Sequence, residues 1–148
     1  GAGGAARAIV AGMAKEKAGN LDIANRTTLN AKNLAEFATK LGLKTNTKKI
    51  EETDKHIENY DIIINSTSIG LKNEESPISF EGANQKTIVY DIVYAPMNTD
   101  FIKKAKEKKL EVIYGYEMLL GQATRAFEIW HEMKAPYNAM KKALLGGF

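Results

Sequence analysis

The residue types best suited to chemistry stand at the start of the chain. Gly1, Ala2, Gly3, Gly4, Ala5 and Ala6 make a GxGGxA turn, in which small side chains let a backbone approach a pyrophosphate closely. Amides that open the following helix would then face the anion. Taken alone, glycine and alanine at an N-terminus also fit a flexible end or a tag remnant, so the motif needs a confirming context. Part of it is present. A helix and a strand follow, and ~20 residues on, where an acidic residue would read the ribose of NAD, stand Asn25, Arg26 and Thr27. A guanidinium there suits a 2'-phosphate in charge and in donor geometry, whereas a carboxylate would repel it. The pattern points to NADP; without the upstream turn, Arg26 reads as an exposed arginine after a strand.

To position such groups the chain must alternate strands with helices. Ala5, Ile9, Val10 and Met13 predict a helix that packs closely on a sheet and stops near Gly19. Leu21, Ile23 and Ala24 then read as a short strand. Residues 28–41, with Leu34, Phe37, Ala38 and Leu41 at helical spacing and Gly42 behind them, read as a second helix, and the Lys/Thr/Asn stretch beyond fits a brief edge strand. Residues 57–60 lead into Asp61, Ile62, Ile63, Ile64 and Asn65, which run without alternation, as does 87–93; strands covered on both faces look like this. Between them, 66–85 with Gly70, Pro77 and Gly82 reads as loop. A helix over 99–109, a strand over 110–114, a helix over 117–133 and a last helix opened by Pro136 and running to Leu145 complete the pattern. It predicts an α/β fold, a Rossmann-like doubly wound parallel sheet with ligands outside the carboxyl ends of the strands. Residues 1–148 are expected to be one nucleotide-binding domain with C-terminal helices. A dinucleotide turn normally follows the central strand of its sheet, so that first strand is expected to be missing from this chain, with two strand edges left open.

Composition narrows the classes. The 148 residues suit one domain, the net charge of +3 is small, and no cysteine is present to build a disulfide framework. The longest apolar runs are strand-sized and no signal segment is visible, so a cytoplasmic protein without a membrane span is expected. The lysines from Lys103 to Lys109 alternate with Ala105 and Glu107 as on a solvated helix face, and no basic surface interleaved with aromatics suggests nucleic acid. His56 and His131 lie in charged helical contexts and are expected at the surface, which leaves no support for a zinc site. Phe127 and Trp130 are expected in the core.

The segments GAGGAARA (1–8), NRT (25–27), NSTSIGL (65–71), DIVYAPMNT (91–99) and GYEMLLGQATRAFEIW (115–130) occur in that order. With them in place the chain resembles the C-terminal, NADP-binding domain of the shikimate dehydrogenase family from Gly1 to the last helix. The resemblance implies that Gly1, Ala2, Gly3, Gly4 and Ala5 hold the pyrophosphate while Asn25, Arg26 and Thr27 surround the adenosine ribose and its 2'-phosphate. Asn30 stands where the family often has a second basic residue, with Lys32 nearby. The 65–70 loop, with Ser66 and Thr67, would lie against the cofactor, and Ile92, Gly115 and Met118 would line the nicotinamide. Tyr94 and Gln122 would reach the substrate. From the residues alone, Tyr94 is equally an ordinary packed aromatic. Gln122, on a stripe with Met118 and Leu119, needs a hydrogen-bond partner that a substrate or a backbone group could supply.

The implied reaction is the reversible NADPH-dependent reduction of 3-dehydroshikimate to shikimate, a step of aromatic amino-acid biosynthesis, with hydride passing to the ring ketone and a proton to its oxygen. In the family the proton work belongs to a lysine and aspartate pair in an N-terminal substrate domain. That domain is expected to be missing here, so no catalytic residue and negligible turnover are expected of this stretch alone. Its expected partners are that domain and the small-molecule substrate. The last helix is expected to pack toward the absent domain and shelter Leu144, Leu145 and Phe148. Two rivals stand beside this reading. A quinate or dual quinate/shikimate dehydrogenase using NAD would favour an acid at position 26, and a non-catalytic nucleotide-binding module would have no need of both Tyr94 and Gln122.

Overall fold

The computed structural model describes residues 1–72 and 74–147. They divide into two compact units, Gly1–Tyr60 with Pro77–Asn84, and Asp61–Ser76 with Gln85–Phe148.

The first unit contains helix α1 (Gly4–Lys15), strand β1 (Asn20–Ala24), helix α2 (Thr28–Lys40) and strand β2 (Lys44–Lys48). The strands pair in parallel, Asn20 opposite Lys44 through Ala24 opposite Lys48. One face of this pair packs against the helices: Ile23 meets Ala6 and Val10 of α1, Ala31, Leu34, Ala35 and Ala38 of α2, and Leu43. Six small or branched side chains without polar atoms on α1 and α2 allow that close approach. Gly42, at φ +90°, lets the Leu43 amide turn back to the Ala38 carbonyl at 3.1 Å and end α2. At the end of α1, Lys17 takes the left-handed conformation instead, at φ +58°. Helix α1 therefore stops before the Gly19 that marks its end in the sequence.

The other face of the pair is polar. Asp22 accepts from Asn46 at 2.9 Å and from the Tyr60 hydroxyl at 2.6 Å, and Lys48 Nζ lies 2.7 Å from its carboxylate. Residues 57–60, expected to lead into a strand, begin with a 3-10 turn, Ile57–Asn59, that buries Ile57. His56 precedes it in the left-handed conformation rather than in a helix, and is exposed as expected.

The second unit holds strands β3 (Ile62–Asn65), β4 (Ile88–Asp91) and β5 (Glu111–Ile113) with helices α3 (Asp100–Glu107), α4 (Gly115–His131) and α5 (Tyr137–Leu145). The strand order is β3-β4-β5, all parallel. Phe101, Ile102 and Ala105 bury one face of α3, which packs on β4 and β5. Every strand is parallel, as the sequence pattern requires, but the strands form two sheets, and among the described residues none bridges β1 to β3.

Two expectations about burial need correction. Ile62, in a run that reads as covered on both faces, is 43% exposed at the start of β3, which among the described residues pairs with β4 alone, so its face of the sheet is left uncovered there. Trp130, expected in the core, is 77% exposed near the end of α4, and Phe127 is half-buried with its ring 4.4 Å from that of His131. Helical spacing assigned both to the apolar stripe, but that spacing does not say what covers it: α4 contacts α5, yet Ile129 and Trp130 stay 60% and 77% exposed. No described helix is long and apolar enough to cross a membrane.

Burial opposes the charge of Asp22, yet the hydrogen bonds from Lys48, Tyr60 and Asn46 outweigh it and hold the carboxyl below its ordinary 3.8. A depressed folded-state value stabilises the fold above the ordinary carboxylate range, and that contribution is lost as pH falls through the folded value. Thermal melting followed by circular dichroism between about pH 6 and pH 2.5 should therefore show a steeper fall in Tm for the wild type than for Asp22→Asn. Parallel slopes would remove Asp22 from the acid response.

Candidate functional site

In the first unit, three segments meet at the carboxyl end of β1. The nitrogen of Gly1 donates to the Ala24 carbonyl at 2.7 Å, which brings the glycine-rich turn to that strand end. Gly3 caps α1 in an extended conformation; no side chain caps the helix and no acid lies in its first turn. The amides from Gly3 to Ala6 thus lack intrahelical acceptors, and the first helical bond runs from the Arg7 amide to the Gly3 carbonyl at 3.1 Å. A Cβ built on Gly3 or Gly4 would meet nothing within 4 Å. Bare amides under open space fit a phosphate group, so the residues present suit the nucleotide that the motif implies.

The turn after β1 is tied to both strands. Asn25 donates from its amide side chain to the Thr27 carbonyl at 2.9 Å and from its backbone to the Lys48 carbonyl at 3.4 Å. Arg26 is exposed at the tip, and among the described residues no carboxylate engages it. Thr27 opens α2 with no side-chain cap and no acid in the first turn, so the positive end of that helix also lies beside Arg26. Asn30 is exposed on the first turn of α2. Arg7, by contrast, is committed to the face of the Phe37 ring, 4.1 Å from its centroid.

In the second unit the remaining candidates are arranged around one buried carboxylate. Asp91, the last residue of β4, is fully buried and accepts from Asn65 Nδ2 at 2.9 Å, the Val93 amide at 3.0 Å and the Thr99 hydroxyl. Asn65 uses the same amide group to hold the Ile69 carbonyl at 3.1 Å, and its oxygen accepts from the amide and hydroxyl of Thr67 at 3.1 and 2.7 Å. Thr99 in turn caps α3 by accepting from the Ile102 amide at 3.2 Å. The 65–70 loop with Ser66 and Thr67, the segment with Ile92 and Tyr94, and the start of α3 are thereby fixed to one point.

Gly115 opens α4 against this same segment. A Cβ there would lie 2.4 Å from the Val93 carbonyl oxygen and 2.6 Å from that of Ile92, so only glycine lets the helix start where it does. Gly70, at φ +104°, has a similar constraint from Thr99, whose Cγ2 would be 3.0 Å from an added Cβ. Tyr94 is 44% exposed, so its ring is not packed into the core. Met118 is half-buried. Gln122, one turn beyond the half-buried Met118 and Leu119, is exposed, so burial does not oblige its amide to find a partner within the chain.

The residues that sequence reasoning assigned no role are the ones that organise these loops: Asp91 and Thr99 in the second unit, Asp22, Lys48 and Tyr60 in the first. A usable signal existed for Asp91, since an acid that ends a strand of β-branched residues has to be paired if it is buried. For Asp22 none existed, because its partners lie 24 to 38 residues away along the chain.

Residues 1–107 match the family model described as Shikimate / quinate 5-dehydrogenase, and residues 115–145 match that described as Shikimate 5'-dehydrogenase C-terminal domain. A curated shikimate dehydrogenase (NADP(+)) of Nitrosopumilus maritimus is 70% identical over 148 residues, covering 100% of this chain and 54% of the relative. Among solved structures, shikimate 5-dehydrogenase from Listeria monocytogenes in complex with shikimate and NAD aligns with a TM-score of 0.88 at 32% identity, over 97% of this chain and 53% of that one. The Thermus thermophilus enzyme in complex with NADP(H) and shikimate aligns with a TM-score of 0.80 at 30% identity, over 100% of this chain and 53% of that one. The chain spans about half the length of the curated relatives it matches.

Truncating the carboxylate at the centre of the second unit should cost more than removing an ordinary hydrogen bond. Asp91→Ala leaves three donors facing a cavity, and we expect a loss of about 3 kcal/mol in urea unfolding at unchanged m. A loss below about 1 kcal/mol would mean that the loops hold themselves.

Proposed function

Because the chain belongs to the shikimate / quinate 5-dehydrogenase family, we propose that residues 1–148 are the NADP-binding domain of an enzyme that reversibly reduces 3-dehydroshikimate to shikimate with NADPH. The observation that carries the cofactor choice is Arg26, exposed and unengaged among the described residues, at the strand end where an NAD enzyme would present an acid. A guanidinium in that place stabilises a 2'-phosphate.

In this reading Gly1, Ala2, Gly3, Gly4 and Ala5 receive the pyrophosphate on the open amides of α1, and Asn25, Arg26 and Thr27, with Asn30 close by, surround the ribose and its phosphate. Ser66, Thr67, Ile92, Gly115 and Met118 belong to the nicotinamide side, and Tyr94 and Gln122 to the substrate. The exposure of Tyr94 and Gln122 supports this, since neither side chain is used up inside the chain. Bound NADPH supplies the hydride for the ring ketone. The protein supplies orientation, through loops whose bases are fixed by Asp91.

Proton delivery to the ketone oxygen is assigned to a lysine and aspartate pair outside these 148 residues, in a substrate domain of a longer protein. The length of the relatives supports a second domain. So does the exposed apolar surface of Ile129, Trp130 and Met133, 60%, 77% and 60% exposed, which a domain would cover. Leu144 and Leu145 on α5 are half-buried already, and Phe148 lies outside the described residues.

Calorimetric titration with NADP and NAD in parallel tests the cofactor reading. NADP should bind more tightly, and Arg26→Ala should weaken it about tenfold or more while leaving NAD unchanged. Equal affinity for both nucleotides, or shikimate turnover by these residues alone, would refute the assignment.

A further inference from the structure

A 2'-phosphate carries close to two negative charges, and Arg26 alone does not neutralise it. Asn30 offers no charge. The register of the first unit supplies a second cation from a place far away in sequence. Ala24 is opposite Lys48, and the Asn25 amide donates to the Lys48 carbonyl, so the residue that continues β2 beside the turn of Arg26 is Lys49.

Three observations set Lys49 apart from the other lysines nearby. Its backbone is still extended, at φ −78° and ψ 154°, so its side chain leaves on the opposite side from that of Lys48, which is committed to Asp22. Positions 45, 47 and 49 therefore share one face. Thr45 and Thr47 line a groove with Lys32, Ala35, Glu36, Thr39 and Lys40 of α2, which identifies that face as the α2 side. Lys49 lies about 7 Å beyond Thr47 along the strand, toward the uncapped start of α2. Lastly, Lys49 is exposed, and no carboxylate among the described residues pairs with its side chain; Glu52 is occupied with the Lys49 backbone amide at 3.2 Å. Lys32 faces the groove instead, one turn along α2 and next to Glu36.

Resting on the NADP reading above, we infer that Lys49 is the second cation of the 2'-phosphate site and a determinant of the preference for NADP over NAD. Arg26 reaches from the end of β1, Lys49 from the end of β2, and the positive end of α2 lies on the same side. The fold thus recovers from β2 the charge that α2 lacks at Asn30.

The test is calorimetric binding of adenosine 2',5'-bisphosphate and of 5'-AMP, which separates the 2'-phosphate from the rest of the cofactor and needs no turnover. Lys49→Met should weaken the bisphosphate about three- to tenfold and leave 5'-AMP unchanged, while Lys49→Arg restores most of the loss. Lys44→Met, at the other end of β2, and Lys32→Met control for net charge and should change neither ligand; circular dichroism confirms that each variant is folded. A wild type that prefers the bisphosphate, with a Lys49→Met variant that prefers it equally, overturns this inference and leaves the NADP reading standing. A wild type that does not distinguish the two ligands overturns both.

Discussion

Burying a carboxylate without compensation is among the most expensive things a fold can do, and the second unit is built around one. Burial pushes the Asp91 carboxyl up from its ordinary 3.8, while bonds from Thr99, Val93 and Asn65 work in the opposite direction. Each donor belongs to a different piece of chain: the cap of α3, the segment after β4 and the end of β3. Satisfying one charge therefore settles the paths of three connections together. The Ile92 and Val93 carbonyls held in this way are the atoms that Gly115 approaches, so the start of α4 depends on the same charge. In a parallel sheet the loops at the carboxyl ends of the strands do the binding, and here they derive their rigidity from beneath.

The first unit uses charge differently. Asp22, Lys48 and Tyr60 stay partly open to water, and such pairs stabilise only weakly. Their value is in register. Strands of five residues with a polar face specify pairing poorly, and a salt bridge between Asp22 and Lys48, reinforced by Asn46 and Tyr60, distinguishes the observed alignment from a slip. Correct register is what puts Asn25 beside the end of β2. Lys48 at the end of β2 and Lys49 after it consequently leave on opposite sides, Lys48 toward the polar face of the sheet and Lys49 toward α2.

The order of elements was legible because glycine-rich turns, helical spacing and β-branched runs are local signals. The helix formed by Leu34, Phe37 and Ala38 and the strand ending at Asn65 lie where those signals put them, and the 87–93 run holds a strand that ends earlier, at Asp91. Exposure was less legible. Periodicity reports which face of a helix is apolar, not what covers it, and so Trp130 and Ile62 read as buried although little lies over them. The same spacing sets Gln122 on the face of Met118 and Leu119, where it is exposed, and the buried positions of α4 among the described residues are Gly115 and Leu120. Long-range polar contacts were not legible at all, because nothing local distinguishes Asp22 from a solvated aspartate.

Trp130 also has a spectroscopic meaning. It is the single tryptophan of the sequence and is 77% exposed, which sets its indole in water, where an indole emits at the long-wavelength end of its range. Anything that covers the end of α4 withdraws that ring from solvent and shifts the emission to shorter wavelength. An aromatic with an apolar body and one polar N–H is well suited to such a boundary. The residue that the sequence pattern would put in the core thus serves as a native fluorophore, reporting the occupancy of this surface without a label.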